Sequence, residues 1–409
     1  MMATRAWRTW QLVTFRFGTV LAALFTLPWL LNLVDYRLAR LVMRPWTQLV
    51  LWFAEHVLGI GRPPTVSTGS GDTLFAWTNA LAQLIVAALV CAVWSILDRR
   101  RAAYVRLAEL VGIALRHVLG FVMLLYAVAK IAQFSYPNAS RLDGTIGEMS
   151  PMGLLWTFMG YSTPYTVFAA ISEGLAGALL LWRRTAVAGA LLAIAVLGNI
   201  VMLNMSYDVP VKLFAMQLLV IALAIAGPHL RRVIGAVLGH ATREVPPRPR
   251  MSPTTERVRT AIKVGVLGLM ALRLYAIGDQ MLAWRRESNP LEAIWVVETW
   301  RADGVEHAPL ITDPVRWRKL AINARYLTVR LMTDERRLHA VRVDPERHTM
   351  TVSGQTLPEI WRYAQRDEDH LAIEGSYRGQ HVEVTLRREP DGLLVTRGFH
   401  WIQEAPFNR

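Results

Sequence analysis

Cysteine and charge are both scarce here: one cysteine stands in 409 residues, and only 19% of residues are charged. Cys91 lies inside an apolar stretch, which excludes an internal disulfide and any mechanism needing two thiols in this chain. In that setting it reads as a small hydrophobe. Six of the ten histidines (His307, His339, His348, His370, His381 and His400) fall near the C-terminus, yet none pairs at metal-ligand spacing. No nucleophile motif is present there, and no internal repeat or pair of broken helices marks a transporter.

Acidic residues are scarce in one part only. Residues 1–284 carry 26 Lys/Arg against 12 Asp/Glu, whereas residues 285–409 carry 19 of each. The net charge of +14 therefore flanks apolar runs, and it reads as a topology signal rather than a nucleic-acid footprint.

What is abundant is hydrophobicity, at 53%. About 20 apolar residues cross the hydrocarbon core as a helix. Seven stretches qualify: roughly 11–34, 74–96, 107–131, 162–182, 186–205, 211–227 and 260–283. The first is too long for a signal peptide and has no small-residue cleavage site before Asp35, so it reads as an uncleaved helix. Two shorter pieces, 43–60 and 152–161, read as interfacial helices. With the N-terminus inside, inner segments hold fifteen arginines, among them Arg99, Arg100, Arg101, Arg183 and Arg184, against five outside (Arg37, Arg40, Arg44, Arg62 and Arg141). That bias orients the chain and, with seven spans, puts the C-terminal domain outside. The stretch 228–259, with Pro246, Pro247 and Pro249 among arginines, reads as a cytoplasmic tether near anionic headgroups.

From Ile294 the period becomes alternating, as in Leu327, Val329 and Leu331, and again in Val382, Val384 and Leu386. Arg378-Gly379 between two such runs predicts a hairpin. Six to eight strands in an antiparallel barrel or sandwich are expected. Asp367-Glu368-Asp369-His370 reads as a solvated turn. The fold class is thus an α-helical integral membrane bundle of about seven transmembrane helices with a C-terminal all-β extramembrane domain. The expected divisions are 1–106, 107–232, a basic linker at 233–259, a last span at 260–283 and the β domain at 290–409.

Charges within spans are costly and mark structural pairs or working sites. Arg116 and Glu173 each lie about 15 Å from the inner edge at 1.5 Å per residue, so a buried Arg116–Glu173 pair is expected. It either fixes helix register or serves a ligand. Arg273 and Asp279 lie in the last span. Lys130, Gln133, Glu148, Asn204, Tyr207, Asp208 and Lys212 gather near the outer end. There Pro210 suits a first helical turn, and Asp208 suits the positive end of the helix dipole with Lys212 one turn on. This polar cup either anchors helix ends or forms the mouth of a site for a small polar or quinone-like ligand.

Several of these residues carry a resemblance. Arg116 followed by Tyr126-x3-Lys130, then Glu173-Gly174 with Gly177, Arg183-Arg184-Thr185 and Asn204–Lys212, resembles the DoxX-like family of four-helix membrane proteins over Arg116–Arg232. Gly153–Gly160 and the tail Gly398–Arg409 are similar to larger bacterial members of that group. The resemblance implies a bacterial inner-membrane protein with a DoxX-like four-helix core, associated with membrane oxidoreductases. The chain departs from that picture in having no dithiol, no haem-like histidine pair in the spans and no flavin motif. A redox role would then run through binding a quinone or a catalytic partner in the bundle. The alternative is a non-enzymatic scaffold or maturation factor that holds an exported protein through the outer β domain. The architecture is also similar to the vitamin-K-dependent carboxylase-like group, with Lys212 as the base, but only as an analogy.

Overall fold

The structure, a computed structural model, describes residues 6–134, 136–240, 252–286, 288–354 and 358–408, with the backbone alone for 284–286. The helices are α1 (Thr9–Val34), α2 (Tyr36–His56), α3 (Leu74–Leu97), α4 (Val105–Gln133), α5 (Ala139–Leu142), α6 (Pro151–Tyr161), α7 (Thr163–Leu181), α8 (Ala186–Ser206), α9 (Lys212–Ala226), α10 (Leu230–Val237), α11 (Pro253–Arg286) and α12 (Leu393–Thr396). The strands are β1 (Ala293–Ala302), β2 (Val305–Glu306), β3 (Trp317–Ile322), β4 (Tyr326–Leu331), β5 (Arg336–Asp344), β6 (Thr349–Ser353), β7 (Glu359–Gln365), β8 (His370–Tyr377) and β9 (Gln380–Arg388). Two compact units result: Met1–Phe134 with Thr163–Met281, and Ser135–Ser162 with Leu282–Arg409.

The first unit is helical. Among the described residues, seven helical stretches are long and apolar enough to cross a membrane, namely α1, α3, α4, α7, α8, the run Lys212–Val237, and α11 as far as Ala283. The chain is a multi-pass membrane protein. Two expected boundaries move. The 43–60 piece is instead α2, which begins at Tyr36 because Asp35 caps it, its side chain accepting from Leu38 N at 2.8 Å. The linker expected from 228 or 233 begins later. A 3₁₀ turn at Gly227–His229 carries α9 into α10, where Leu230, Val233, Ile234 and Val237 keep a helical period past Arg231 and Arg232. The prolines expected to form its tether, Pro246, Pro247 and Pro249, lie outside the described residues, and α11 already begins at Pro253.

Small residues set the helix spacing. A Cβ on Gly177 would stand 2.8 Å from the Gly120 carbonyl oxygen, and one on Gly189 would stand 2.8 Å from Leu180 N. Backbones can approach that closely only where side chains are absent. Around these contacts Val118, Leu119, Val122, Met123, Ala176, Leu180, Ala190, Leu197 and Leu218 form the core.

The second unit is a closed antiparallel β-barrel. Eight strands, β1 and β3 to β9, follow one another in order, and β1 closes the ring by pairing with both β3 and β9; β2 is a two-residue extension on β1. Burial along β1 falls on Trp295 and Val297, then on Trp300 and Ala302. The register shift between Val297 and Thr299 resets the phase so that both halves face inward. Four fully buried tryptophans, Trp295, Trp300, Trp317 and Trp361, fill the interior. The Arg378-Gly379 hairpin forms as expected, with both residues at positive φ (54° and 85°) as a type I′ turn requires.

The segment 135–162, expected inside the 107–232 core, belongs to this unit. It covers the outward face of β4, so Thr328 and Arg330 are buried along with the inward Leu327, Val329 and Leu331. The Ser140 hydroxyl lies 2.9 Å from that of Thr328, and Asn323 Nδ2 donates to Ser140 Oγ at 2.7 Å. An unpaired arginine could not be buried on that face. Arg330 is matched by Asp143 (Nε–Oδ2 3.0 Å) and Glu148 (Nη2–Oε2 3.0 Å).

Candidate functional site

Lys130 stands one turn before the end of α4, and Glu173 lies in the middle of α7. The close approach of these helices at Gly120 and Gly177, with Gly174 against Ala127, brings the two side chains together. Lys130 Nζ donates to Glu173 Oε1 at 2.8 Å. The Glu173 side chain is 3% exposed and that of Lys130 16%. Only one carboxylate oxygen is engaged: Glu173 Oε2 has no hydrogen-bond partner among the described residues. A buried acceptor left in this state is expensive, and in a membrane span it marks a place where a donor is wanted.

Aromatic side chains adjoin the pair. Tyr126 lies one turn from Lys130 on α4, and its ring is 6.1 Å from that of Phe214. Phe214 in turn stacks on Trp29 at 5.6 Å and Phe25 at 6.1 Å. On the other side Lys130 Nζ lies 5.6 Å from the centre of the Phe134 ring. One cation, one carboxylate and one phenol thus lie near a chain of aromatic rings packed on one another.

The expected Arg116–Glu173 pair is replaced by this one. Arg116 lies fourteen residues before Lys130 on the same helix, about 21 Å away along its axis. Its Nε donates to the Gly112 carbonyl at 3.3 Å. Depth alone did not reveal that the long Lys130 side chain reaches Glu173 from the C-terminal end of α4.

The expected polar cup resolves into separate groups. Glu148 belongs to the second unit, where the hydrogen bond from Arg330 first, and then the Thr145 N–H, hold its carboxyl down to about 2. Asn204, Asp208 and Lys212 lie at the start of α9, where Lys212 meets Asp72, a residue that sequence reasoning passed over. Asp72 accepts from the backbone N–H groups of Lys212 (2.9 Å) and Leu213 (3.0 Å), so it is the carboxylate at the start of α9. Asp208 instead binds Lys212 Nζ at 2.7 Å, and Pro210 precedes the helix rather than opening it. Asn204 Nδ2 reaches the Val211 carbonyl at 3.5 Å. With its ammonium held by Asp208 and Asp72 (3.6 Å), Lys212 anchors the helix end.

Two further arginines have structural partners. Arg273 donates to the carbonyls of Leu33 (3.1 Å) and Val34 (2.7 Å), closing the C-terminal end of α1. Arg16, also passed over, is 3% exposed and binds the Tyr104 hydroxyl, Ser95 Oγ (3.1 Å) and the Asp98 carbonyl (2.8 Å). The reasoning that singled out Arg116 applies equally to Arg16. Nothing local marks Asp72 except its glycine neighbour: Gly71 N donates to the Pro210 carbonyl at 2.7 Å.

In the C-terminal unit Asp367 accepts from Asp369 N and from the His370 ring, which makes the acidic run a self-bonded turn.

Over 111 residues the chain is 33% identical to a protein of Bacillus subtilis (strain 168) described as uncharacterized protein YwoB, a match covering 25% of this chain and 72% of that one. No family model and no solved structure matches.

Proposed function

The chain belongs to the family of YwoB, and from that premise we propose that it is a redox-associated subunit of the bacterial inner membrane which binds a quinone-like ligand at Lys130 and Glu173. The observation that carries this reading is the buried pair with one carboxylate oxygen, Glu173 Oε2, lacking a donor. A quinone presents oxygens that accept hydrogen bonds when oxidised and donate them when reduced. Lys130 supplies a donor, Glu173 an acceptor, and the Tyr126–Phe214–Trp29 rings an apolar wall for a flat ring. The DoxX-like resemblance supports the same class.

The topology that goes with this reading has the N-terminus in the cytoplasm and the β unit in the periplasm. The arginine bias supports it. So does parity: residues 135–162 and 282–409 form one unit, and four candidate spans (α7, α8, Lys212–Val237 and α11) lie between them, an even number.

The test is titration of the purified protein in lipid nanodiscs with short-chain ubiquinone and menaquinone analogues held in the reduced, quinol form, whose O–H groups can donate to Glu173 Oε2. Wild type and Arg116→Gln should bind alike. Glu173→Gln should bind about tenfold more weakly, the equivalent of one charge-assisted hydrogen bond. Equal binding by all three variants would remove the site from these residues.

One observation favours a scaffold role as the second reading. An open groove of about 450 Å³ runs across the outer face of β7, β8, β9 and β1, lined by Thr299, Arg301, Arg362, Glu374, Glu383 and Thr385. Loss of a co-purifying exported protein in an Arg301→Glu/Arg362→Glu variant would favour that reading.

A further inference from the structure

The C-terminal tail is the sequence motif that neither the barrel nor the bundle site uses. After β9 and the short α12, the chain leaves Phe399, Trp401 and Ile402 exposed at 75%, 91% and 81%. A soluble domain rarely exposes three such side chains within four residues, and a cluster of this kind marks an interaction surface. The tail is not a loose end. Arg397 donates to Gln403 Oε1 at 3.3 Å and lies 4.5 Å from the centre of the Phe407 ring, closing a loop whose tip is Phe399–Ile402. The Phe399 and Trp401 rings meet edge to face at 5.1 Å.

What covers this tip follows from where the loop begins. Tyr136 Oη donates to the Leu394 carbonyl at 3.4 Å, and the Tyr136 ring is 6.1 Å from that of Tyr161. Tyr136 is three residues beyond the end of α4, and Tyr161 two before the start of α7, both candidate spans. The tail thus starts beside two residues that are, along the chain, within three residues of those spans. Tyr161 is also the last residue of α6, an eleven-residue helix of the same unit with no charged side chain, whose Leu154 and Phe158 are exposed. Tyrosine, tryptophan and phenylalanine on such a surface have the composition of a membrane-interface belt.

We infer that the Phe399–Ile402 tip is a lipid anchor, seated with α6 in the headgroup–acyl boundary of the membrane that the helices cross. The occupant is the phospholipid bilayer itself, not a protein partner.

Because Cys91 is the only cysteine, single labels can test this in the full chain. In a Cys91→Ala background, a nitroxide would be placed by His400→Cys, which keeps all three apolar side chains, by Trp401→Cys, or by Arg347→Cys in the exposed β5–β6 turn. The samples are phosphatidylethanolamine–phosphatidylglycerol nanodiscs, and the readout is collision with oxygen against collision with a water-soluble nickel chelate. Labels at 400 and 401 should show an oxygen-to-nickel ratio several-fold above that at 347. A ratio equal to that at 347 would place the tip in water and overturn the inference. Low collision with both reagents would mean that protein covers it, and would overturn the inference equally.

Discussion

Arg330 joins two carboxylates from a segment nearly two hundred residues earlier in the chain, with Nε 3.0 Å from Asp143 Oδ2 and Nη2 3.0 Å from Glu148 Oε2. The side chains of Arg330 and Asp143 are 9% and 2% exposed, so this is a buried ion pair. It fastens the segment between α4 and α7 onto β4. The β-barrel is therefore completed by residues that precede it by four candidate spans.

Arg330→Met should leave the buried Asp143 with only the longer Lys319 contact (3.6 Å) and destabilise the second unit by about 3 kcal/mol. Thermal unfolding in detergent, with protease cleavage within residues 136–150 as the readout, measures this. Cleavage at the wild-type rate would mean that Ser140 and its neighbours hold the segment alone.

Acid should loosen the same fastening. The folded-state value of Glu148 is about 2, below its ordinary 4.5, chiefly through the Arg330 hydrogen bond. A carboxyl depressed in this way contributes stability above its unfolded value and loses it as the pH falls toward the folded one. Protease protection of the segment should drop between pH 4.5 and 2, and Glu148→Gln should flatten that part of the profile.

The Gly120–Gly177 contact should tolerate no side chain. Gly177→Val would put its Cβ 2.8 Å from the Gly120 carbonyl oxygen, and should cost about 1–3 kcal/mol through forced separation of α4 and α7. Gly198→Ala, where nothing lies within 4 Å, is the matched control and should be neutral or stabilising. Unfolding of both variants in sodium dodecyl sulfate gives the comparison.

Asp72 should behave as a helix cap supplied from another loop. Asp72→Ala removes the acceptor for two backbone donors of α9 and should cost about 1 kcal/mol. Amide hydrogen exchange at Leu213 should rise while that in α7 stays unchanged.

The Lys130–Glu173 pair should be strongly non-additive. Lys130→Met leaves a 3% exposed carboxylate unpaired and should cost about 3–5 kcal/mol, more than Glu173→Gln, because Lys130 can withdraw toward the helix end. The double variant should recover most of the loss. Equal losses that simply add would mean the two charges do not interact.

Sequence patterns made the spans and strands legible because both depend on local periodicity. The seven apolar runs and the Arg378-Gly379 turn needed no tertiary information. Pairing did not share that advantage. Arg116 and Glu173 matched in depth, but which charge meets Glu173 depends on where glycines let α4 and α7 cross. Thr328 and Arg330 sat at outward positions of an alternating strand, and only the distant Ser140–Glu148 segment makes them buried. Asp72 caps a helix 140 residues away, a relationship no local window contains.

The most direct measurement is mass spectrometry of the quinones that co-purify with the protein after mild detergent extraction, comparing wild type, Glu173→Gln and Arg116→Gln. Quinone should be retained by wild type and Arg116→Gln and lost from Glu173→Gln with the fold intact. The same quinone content in Glu173→Gln as in wild type, or none in any of the three, would contradict a quinone site at Glu173.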